Sequence, residues 1–149
     1  MKKAAQLIAT FFGIGYCPLA PGTAASAVVV LLYRFFLHDL GWPIFLGIGV
    51  IVYAAGVWSS GTFARARGLE DPGIVVIDEV IGQLIALFML PPTWTLLLAA
   101  FLLFRFFDIL KPLLIRRAER FSGGWGIMLD DVVAGLYTGI CLQIYLRLV

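Results

Sequence analysis

Five apolar stretches alternate along this chain with short polar or Gly/Pro-rich segments. They cover residues 23–37, 43–60, 74–90, 93–107 and 129–146. Most are shorter than the roughly 20 residues of a spanning helix, so we expect some helices to extend into flanking residues, to tilt, or to cross a bilayer incompletely. Ahead of them, residues 1–12 carry Lys2 and Lys3 and predict a short amphipathic helix.

The composition assigns the chain to a class. Of its 149 residues, 62% are hydrophobic and 13% are charged, and the mean hydropathy is +1.00. That hydropathy is far above what a soluble core needs, and the length suits one domain, residues 1–149. We therefore predict an all-α integral membrane helical bundle, with about five membrane-embedded helices plus a short amphipathic N-terminal helix. The N-terminal helix is expected to be interfacial, because no small-residue cleavage site of a signal peptide follows it.

Basic residues predict the orientation of the bundle, because Lys and Arg near the ends of membrane segments tend to stay in the cytoplasm. If the amino terminus is cytoplasmic, the following basic residues share that side: Lys2, Lys3, Arg65, Arg67, Lys111, Arg116, Arg117 and Arg120. Arg34 and Arg147 fall near the other side. The pattern favours a cytoplasmic amino terminus and an external carboxyl terminus, which places the polar motifs described next on the cytoplasmic face.

Two adjacent acidic pairs, Asp78-Glu79 and Asp130-Asp131, begin the third and fifth apolar stretches. An ionised carboxylate near hydrocarbon is unfavourable unless it is paired or solvated, so four of them suggest binding of a metal, a proton or a substrate. The alternative for each pair is a helix N-terminal charge in interfacial water, where the helix dipole favours it.

Two glycine-rich loops lie on the same predicted face. The first, residues 13–23, contains two Pro and three Gly and leads into a helix N-terminus, where free backbone N–H groups can bind an anion. The alternative is a simple turn with Thr23 as the N-cap. The second loop, residues 122–126, precedes the second acidic pair, and its flexible backbone could approach a ligand closely. The phosphate-binding candidates in and after these loops are Gly22, Thr23, Ser26, Gly123 and Gly124.

Arg105, Asp108 and Lys111 end the fourth apolar stretch with the spacing i, i+3, i+6, which lets one face of a helix present all three. Taken alone, they could form a salt-bridge ladder. Beside four carboxylates they suggest a phosphate site, since Arg and Lys neutralise phosphoryl oxygens while carboxylates hold a divalent metal. Mg²⁺ is the cation that suits oxygen ligands and phosphate.

Several phosphatase designs are excluded by inspection. The single histidine, His38, lies in a short predicted external turn, so no pair of histidines is available as nucleophile and acid. No Asp-x-Asp pair occurs, and the Cys-x5-Arg spacing of Cys141 and Arg147 spans an apolar helix, which we interpret as chance. Cys17 and Cys141 indicate neither a metal site nor a disulfide. No Walker loop or nucleic-acid-binding pattern is present, so no nucleic-acid partner is expected.

Four blocks carry most of these polar residues. They are Gly13-Ile-Gly-Tyr-Cys-Pro-Leu-Ala-Pro-Gly-Thr-Ala-Ala-Ser, Ile77-Asp-Glu-Val-Ile-Gly, Phe104-Arg-Phe-Phe-Asp-Ile-Leu-Lys-Pro and Gly123-Gly-Trp-Gly-Ile-Met-Leu-Asp-Asp-Val-Val-Ala-Gly. Together they resemble the bacterial phosphatidylglycerophosphatase A family over nearly the whole chain, and the fourth block is the most distinctive. Ala25 stands where the family often has Gly, and Leu114 where it often has Pro. Neither departure removes a polar group, so they bear on loop shape rather than on chemistry.

The resemblance implies a Mg²⁺-dependent enzyme that converts phosphatidylglycerophosphate to phosphatidylglycerol and inorganic phosphate at the cytoplasmic face of the inner membrane. Its partners would be this phospholipid substrate and the surrounding membrane lipids. The Mg²⁺ ligands, direct or through water, would be Asp78, Glu79, Asp130 and Asp131. Asp108 would be a further ligand or would activate water, while Arg105 and Lys111 would bind the phosphate and stabilise developing charge. Attack by water and attack by an aspartate both stay open.

A small transporter or channel that moves cations or protons along its carboxylates is the alternative. Such a pathway would place acidic groups near the middle of a span. The sequence predicts them at one end, together with Arg, Lys and glycine-rich loops, and this arrangement favours the enzyme. A non-catalytic membrane scaffold would leave the four polar blocks unexplained.

Overall fold

A computed structural model describes residues 2–69, 72–112, 115 and 122–149 of the chain. Within those residues the fold is all-helical, as predicted, and contains no strand. The helices are α1 (Lys2–Ala9), α2 (Pro21–Leu32), α3 (Trp42–Arg67), α4 (Ile77–Ala86), α5 (Trp94–Leu110) and α6 (Gly124–Leu148). The orientation argument from Arg116, Arg117 and Arg120, and the sequence departure at Leu114, lie outside the described residues.

Helix α4 lies at the centre of the bundle, in contact with α2, α3, α5 and α6. Seven of its ten residues are buried. Ten residues rise only about 15 Å, which is half of a hydrocarbon core of about 30 Å. The predicted helix over residues 74–90 is therefore too long: the chain turns after Ala86, and Pro91 and Pro92 follow, which cannot continue a helix.

Two described helices, α3 and α6, are long and apolar enough to cross a membrane, by length and composition. Of the roughly five membrane-embedded helices that the sequence predicts, the structure thus supports two. Helix α2 continues into a π-helical turn, Tyr33–Leu37, and together they form a shorter apolar helix, Pro21–Leu37.

Helix α6 begins at Gly124, earlier than the predicted boundary at residue 129. Gly123 has a φ of 68°, which a residue with a side chain adopts only under strain, and this turn directs the chain into the helix. Asp130 and Asp131 consequently lie well inside α6, beyond its first turn. The alternative that they are helix N-terminal charges is wrong for this pair.

Glycines let α4 and α6 approach closely. A Cβ atom on Gly82 would lie 2.6 Å from the backbone oxygen of Asp131, and one on Gly135 would overlap the carbonyl group of Gly82. Gly82 follows Asp78 by one helical turn, and Gly135 follows Asp131 by one turn, so each glycine lies beneath an acidic residue on the same helix face. The close crossing therefore places the two acidic pairs side by side.

Helices α2 and α4 run parallel. Near their N-termini, Gly22 lies against the carboxylate of Glu79. At the far end, the Tyr33 hydroxyl donates a hydrogen bond to the Leu90 carbonyl oxygen. Both pairs are offset by the same 57 positions. The two helices therefore pack side by side in the same direction, from Gly22 and Glu79 to the turns that follow their last residues.

The directions of the helices bring the polar segments to one end of the bundle. Helices α2, α4 and α6 begin there and α5 ends there, in agreement with the predicted convergence. The loop that precedes α4 is anchored at the same end. There the Val76 N–H donates a hydrogen bond to the Ala9 carbonyl oxygen at 2.9 Å. Gly15 lies so close to the Ile74 carbonyl group that a Cβ atom on Gly15 would overlap it.

Candidate active site

A cavity of about 270 Å³ opens at this end of the bundle. Its walls come from α2, α4, α5, α6 and the loop before α4. All the charged residues predicted for metal binding and catalysis line it: Asp78, Glu79, Arg105, Asp108, Lys111, Asp130 and Asp131. The structure thus brings together side chains that are up to 53 positions apart in sequence.

Three carboxylates form the tightest group in this cavity. Asp78, Glu79 and Asp131 each offer one oxygen within 4.8 Å of the other two. Oxygens with this separation can share one divalent cation, whose Mg–O or Ca–O contacts are about 2.0–2.6 Å. Asp131 is only 2% exposed, so its charge requires a compensating partner.

Burial and mutual repulsion act on the acidic pair of α4, which lies outside the two helices long enough to span a membrane. Burial raises the pKa of Asp78 well above its ordinary value, and the carboxylates of Glu79 and Asp131 raise it further. Burial also raises the pKa of Glu79, whereas a hydrogen bond with Asp78 and the nearby Arg105 guanidinium lower it. A divalent cation would offset this repulsion and keep both groups ionised. The donors are all oxygens, which fits Mg²⁺.

Asp130 has a different partner. Its Oδ2 accepts a hydrogen bond from Lys111 Nζ at 2.9 Å. Lys111 follows α5 with a left-handed φ of 46°, which is uncommon for a residue with a side chain. Pro112 comes next and ends the helix. The second acidic pair is therefore divided, with Asp131 in the closest carboxylate group and Asp130 in an ion pair with α5.

Arg105 connects α5 to α4. Its Nη1 lies 2.7 Å from Asp108 Oδ2 and 3.7 Å from Glu79 Oε1. Asp108 is in turn within hydrogen-bonding reach of the Asp131 carboxyl group. A salt-bridge ladder along one helix would also contain the Arg105–Asp108 contact. The side chains of Arg105 and Asp108 are, however, largely buried, and they reach carboxylates on α4 and α6. The set is thus part of the cavity wall rather than a surface ladder.

The N-terminus of α2 forms an uncharged side of the cavity. Ala20 is the N-cap, Pro21 is the first helical residue, and no side chain of the described chain caps the helix. The N–H groups of Gly22 and Thr23 therefore have no acceptor within the helix, at the positive end of its dipole. The alternative with Thr23 as N-cap is wrong, because the helix begins two residues earlier.

Of the five predicted phosphate-binding residues, Gly22 lines the cavity. Thr23 follows it in the first turn of α2 and is half-buried, whereas Ser26 lies one turn deeper and is fully buried. Gly123 and Gly124 lie outside the cavity lining. A Cβ atom on Gly124 would overlap the carbonyl group of Val57, so this glycine permits contact between α6 and α3.

Sequence reasoning assigned no role to three residues that the structure makes prominent. Gly82 and Gly135 set the crossing of α4 and α6, and Gln83 is a fully buried polar residue in α4. A signal was present for each. A glycine follows Asp78 and Asp131 by four positions, and Gln83 interrupts the apolar run that follows Glu79.

Comparisons with known proteins extend over almost the whole chain. The family model described as phosphatidylglycerophosphatase A matches residues 7–146. Phosphatidylglycerophosphatase A of Haemophilus influenzae is 41% identical over 137 residues, which cover 91% of this chain and 84% of that protein. Its namesake from Escherichia coli is 36% identical over 138 residues, with 91% and 80% covered.

A third relative carries a different name. A Bacteroides thetaiotaomicron protein called putative phosphatidylinositol-3-phosphatase is 39% identical over 145 residues, with 93% of this chain and 91% of that protein covered. No solved structure is a match. Because the family match begins in α1, reaches the last turns of α6 and includes every residue that lines the cavity, the chain belongs to the phosphatidylglycerophosphatase A family.

Proposed function

We propose that this protein removes the terminal phosphate of phosphatidylglycerophosphate in a Mg²⁺-dependent reaction that yields phosphatidylglycerol and inorganic phosphate. The observation that carries the proposal is the cavity in which carboxylates, two cations and an uncapped helix N-terminus converge. Five carboxylates against two cations make it strongly negative. A phosphate dianion would be repelled from such a cavity unless a metal cation were also bound.

The residues divide into two sets. Asp78, Glu79 and Asp131 would hold Mg²⁺, and Asp130, oriented by Lys111, would contribute a further ligand directly or through water. When bound, the cation would neutralise phosphoryl oxygens and polarise the phosphorus centre. Family membership and the oxygen-only donor set support this assignment.

The remaining groups would act on the phosphate itself. Arg105 and Lys111 would bind its oxygens, together with the N–H groups of Gly22 and Thr23 at the start of α2. Asp108 lies between Arg105 and Asp131 and, like Asp130, is outside the closest carboxylate group. Its role would be to accept a proton from attacking water, to attack the phosphorus, or to complete the metal site.

The lipid part of the substrate requires an apolar surface beside the cavity. Phe106, Ile109 and Leu110 of α5 are each more than half exposed, and they alternate with the charged residues that line the cavity. Acyl chains could lie along this side of α5 while the headgroup enters the cavity. The Bacteroides relative's name suggests a phosphoinositide as a competing substrate.

We also propose that the protein is a multi-pass protein of the bacterial inner membrane with its cavity facing the cytoplasm. Support comes from the long apolar helices α3 and α6 and from Arg65 and Arg67, which end α3 at the cavity end. Arg34 and Arg147 lie near the opposite end. The grouping of the acidic side chains at one end gives the transporter alternative no support.

Phosphate release from phosphatidylglycerophosphate in detergent micelles tests the activity. Purified protein should release phosphate with Mg²⁺, stop when EDTA removes the metal, and recover when Mg²⁺ is restored. Phosphatidylinositol 3-phosphate, assayed in parallel, identifies the preferred lipid. Failure to cleave phosphatidylglycerophosphate at any Mg²⁺ concentration, or equal cleavage in EDTA, would overturn the proposal.

Substitutions test the metal ligands. Asp78→Asn and Asp131→Asn should each lower turnover by about 100-fold or more, because a lost ligand weakens metal binding and the charge stabilisation that depends on it. The matched control is Asp39→Asn, whose side chain is 89% exposed beside His38 in the turn after residues 33–37. Near-normal turnover of the two cavity variants would remove these residues from the metal site.

A further inference from the structure

Two fully buried polar residues, Ser26 in α2 and Gln83 in α4, lie one helical turn inward from residues that line the active-site cavity. Helices α2 and α4 run side by side in the same direction, and Gly22 of α2 lies against the carboxylate of Glu79 at the cavity. One helical turn further along each helix, on the same faces, come Ser26 and Gln83. Ser26 is one helical turn below Gly22 and Gln83 is one turn below Glu79, so this pair forms the next layer inward from the cavity.

This layer is fully enclosed. Ser26 and Gln83 are both 0% exposed. Within the described part of the chain, the Ser26 hydroxyl and both polar atoms of the Gln83 amide have no hydrogen-bond partner. Oε2 of Glu79, one helical turn before Gln83 on α4, is also buried and has no hydrogen-bond partner among these described residues. Native proteins rarely leave buried polar groups unsatisfied, and a cluster of such atoms indicates an ordered water or ion.

A direct hydrogen bond between Ser26 and Gln83 would satisfy only part of the cluster. The Gln83 amide has a carbonyl acceptor and two N–H donors, while a serine hydroxyl donates one bond. One end of the amide and the Glu79 oxygen would still lack partners. A water molecule needs about three polar partners, which the hydroxyl, the amide and the Glu79 carboxylate supply.

We infer that Ser26 and Gln83 hold buried water against the carboxylate of Glu79, and that both are positioning residues for the metal site. By hydrogen bonding to Ser26, Gln83 and Glu79, the water holds the Glu79 carboxylate in a fixed position relative to α2 and α4. The other contacts that orient Glu79 come from Gly22, from Asp78 and from Arg105 at 3.7 Å. The inference rests on the proposed function for the identity of the cation.

Direct measurement of metal affinity tests the inference. Mn²⁺, which replaces Mg²⁺ at oxygen-rich sites and is detected by electron paramagnetic resonance, is titrated into purified protein without lipid. Ser26→Ala removes only the hydroxyl, and Gln83→Met keeps the length of the side chain without its amide. Each should raise the dissociation constant for Mn²⁺ by about 10-fold, since lost outer-shell contacts weaken metal sites by 10- to 100-fold.

A purely structural role predicts a different result. Removing an unsatisfied buried hydroxyl with no water attached would leave Mn²⁺ affinity unchanged and would maintain or raise thermal stability. The controls are Ser60→Ala, whose hydroxyl already donates to the Gly56 carbonyl oxygen at 2.7 Å, and Leu84→Met, a buried neighbour of Gln83. Both should keep wild-type affinity.

The outcomes separate this inference from the proposed function. Weaker Mn²⁺ binding in Ser26→Ala and Gln83→Met, with intact controls, supports the inference even if no lipid phosphate is cleaved. In active protein, a higher Mg²⁺ requirement that saturating Mg²⁺ overcomes supports it further. Unchanged affinity in Ser26→Ala, an equal loss in the controls, or no Mn²⁺ binding by the wild-type protein would overturn it.

Discussion

Arg105 shows how individual residues combine functions in this cavity. Its guanidinium contacts Asp108 on its own helix and lies 3.7 Å from Glu79 on α4. A planar group with five N–H donors can contact two carboxylates and still present a donor to a phosphate oxygen. An ammonium group has three donors at one point and cannot reproduce this arrangement.

Arg105→Lys should therefore reduce phosphate release by about 100-fold, as expected for loss of a preorganised donor to developing charge. The melting temperature should change little, because the positive charge remains in place. Turnover of the purified variant at saturating Mg²⁺ provides the measurement, with Arg147→Lys at the far end of α6 as control. Wild-type turnover would show that Arg105 serves only as an ion-pair partner.

Gly22→Ala tests the contact between α2 and the carboxylate of Glu79. The new Cβ would lie 2.6 Å from the Glu79 carboxyl carbon. Because that carboxylate is the end of a flexible side chain, the fold should adjust while Glu79 is displaced. We expect near-normal stability, an activity loss of about 10-fold or more and a higher Mg²⁺ requirement.

Gly47→Ala is the matched control for this substitution. Gly47 lies in α3, and among the described residues no heavy atom lies within 4 Å of the position that an alanine methyl group would take there. Alanine also favours helix over glycine. The activity of this variant should be unchanged. If Gly22→Ala behaved in the same way, close contact at Gly22 would have no part in orienting Glu79.

At the scale of elements, the crossing of α4 and α6 positions the carboxylates. Helix α4 carries Asp78 and Glu79 in its first turn, and α6 carries Asp131 beside them. Backbone contact between Gly82 and Gly135 sets the distance between the two helix axes. The spacing of three oxygens on two helices therefore depends on residues that have no side chain.

Gly135→Ala should separate these helices. Its Cβ would meet backbone atoms of Gly82, which cannot move aside as a side chain can. Overpacking of this kind typically destabilises a protein by about 1–3 kcal/mol. We expect a lower melting temperature in detergent together with loss of phosphate release.

Gly139→Ala, one turn further along α6, is the corresponding control. A Cβ there would lie 3.4 Å from the Ile85 carbonyl oxygen, which is an ordinary contact. This variant should keep both stability and activity. Equal tolerance at Gly135 would mean that the helices can separate without disturbing the site.

At the scale of the whole molecule, the alternating helix directions place the cavity at one end of the bundle. The charged residues of α4, α5 and α6 meet there, because α4 and α6 begin at that end and α5 ends there. Exposed Trp42 and Trp94 lie near that other end, and Arg34 lies over the Trp94 ring at 5.7 Å. Tryptophan at this level is typical of a membrane–water interface.

Orientation in the cell is testable with two reporters. A reporter fused after Val149 should be active outside the inner membrane. Leu69→Cys, in protein whose Cys17 and Cys141 are replaced by serine, should react with an impermeant maleimide only after the inner membrane is opened. Labelling of Leu69→Cys in intact spheroplasts would place the cavity on the external face.

The sequence by itself determined the helical class, the highly apolar character of the chain and the residues of the charged cluster. Hydropathy is a local property, and the spacing of Arg105, Asp108 and Lys111 follows from the period of one helix. Alternation of apolar segments with short connections also brought the acidic pairs to the same end. These predictions needed no knowledge of how one helix packs on another.

Only the tertiary structure decided how the cluster is divided. Asp131 joins Asp78 and Glu79 while its neighbour Asp130 binds Lys111, because successive residues of α6 point in different directions toward α4 and α5. The burial of Ser26 and Gln83 without hydrogen-bond partners among the described residues likewise depends on how α2 and α4 pack in the bundle. Contacts between distant segments set these relationships, and hydrophobic periodicity within one segment carries no information about them.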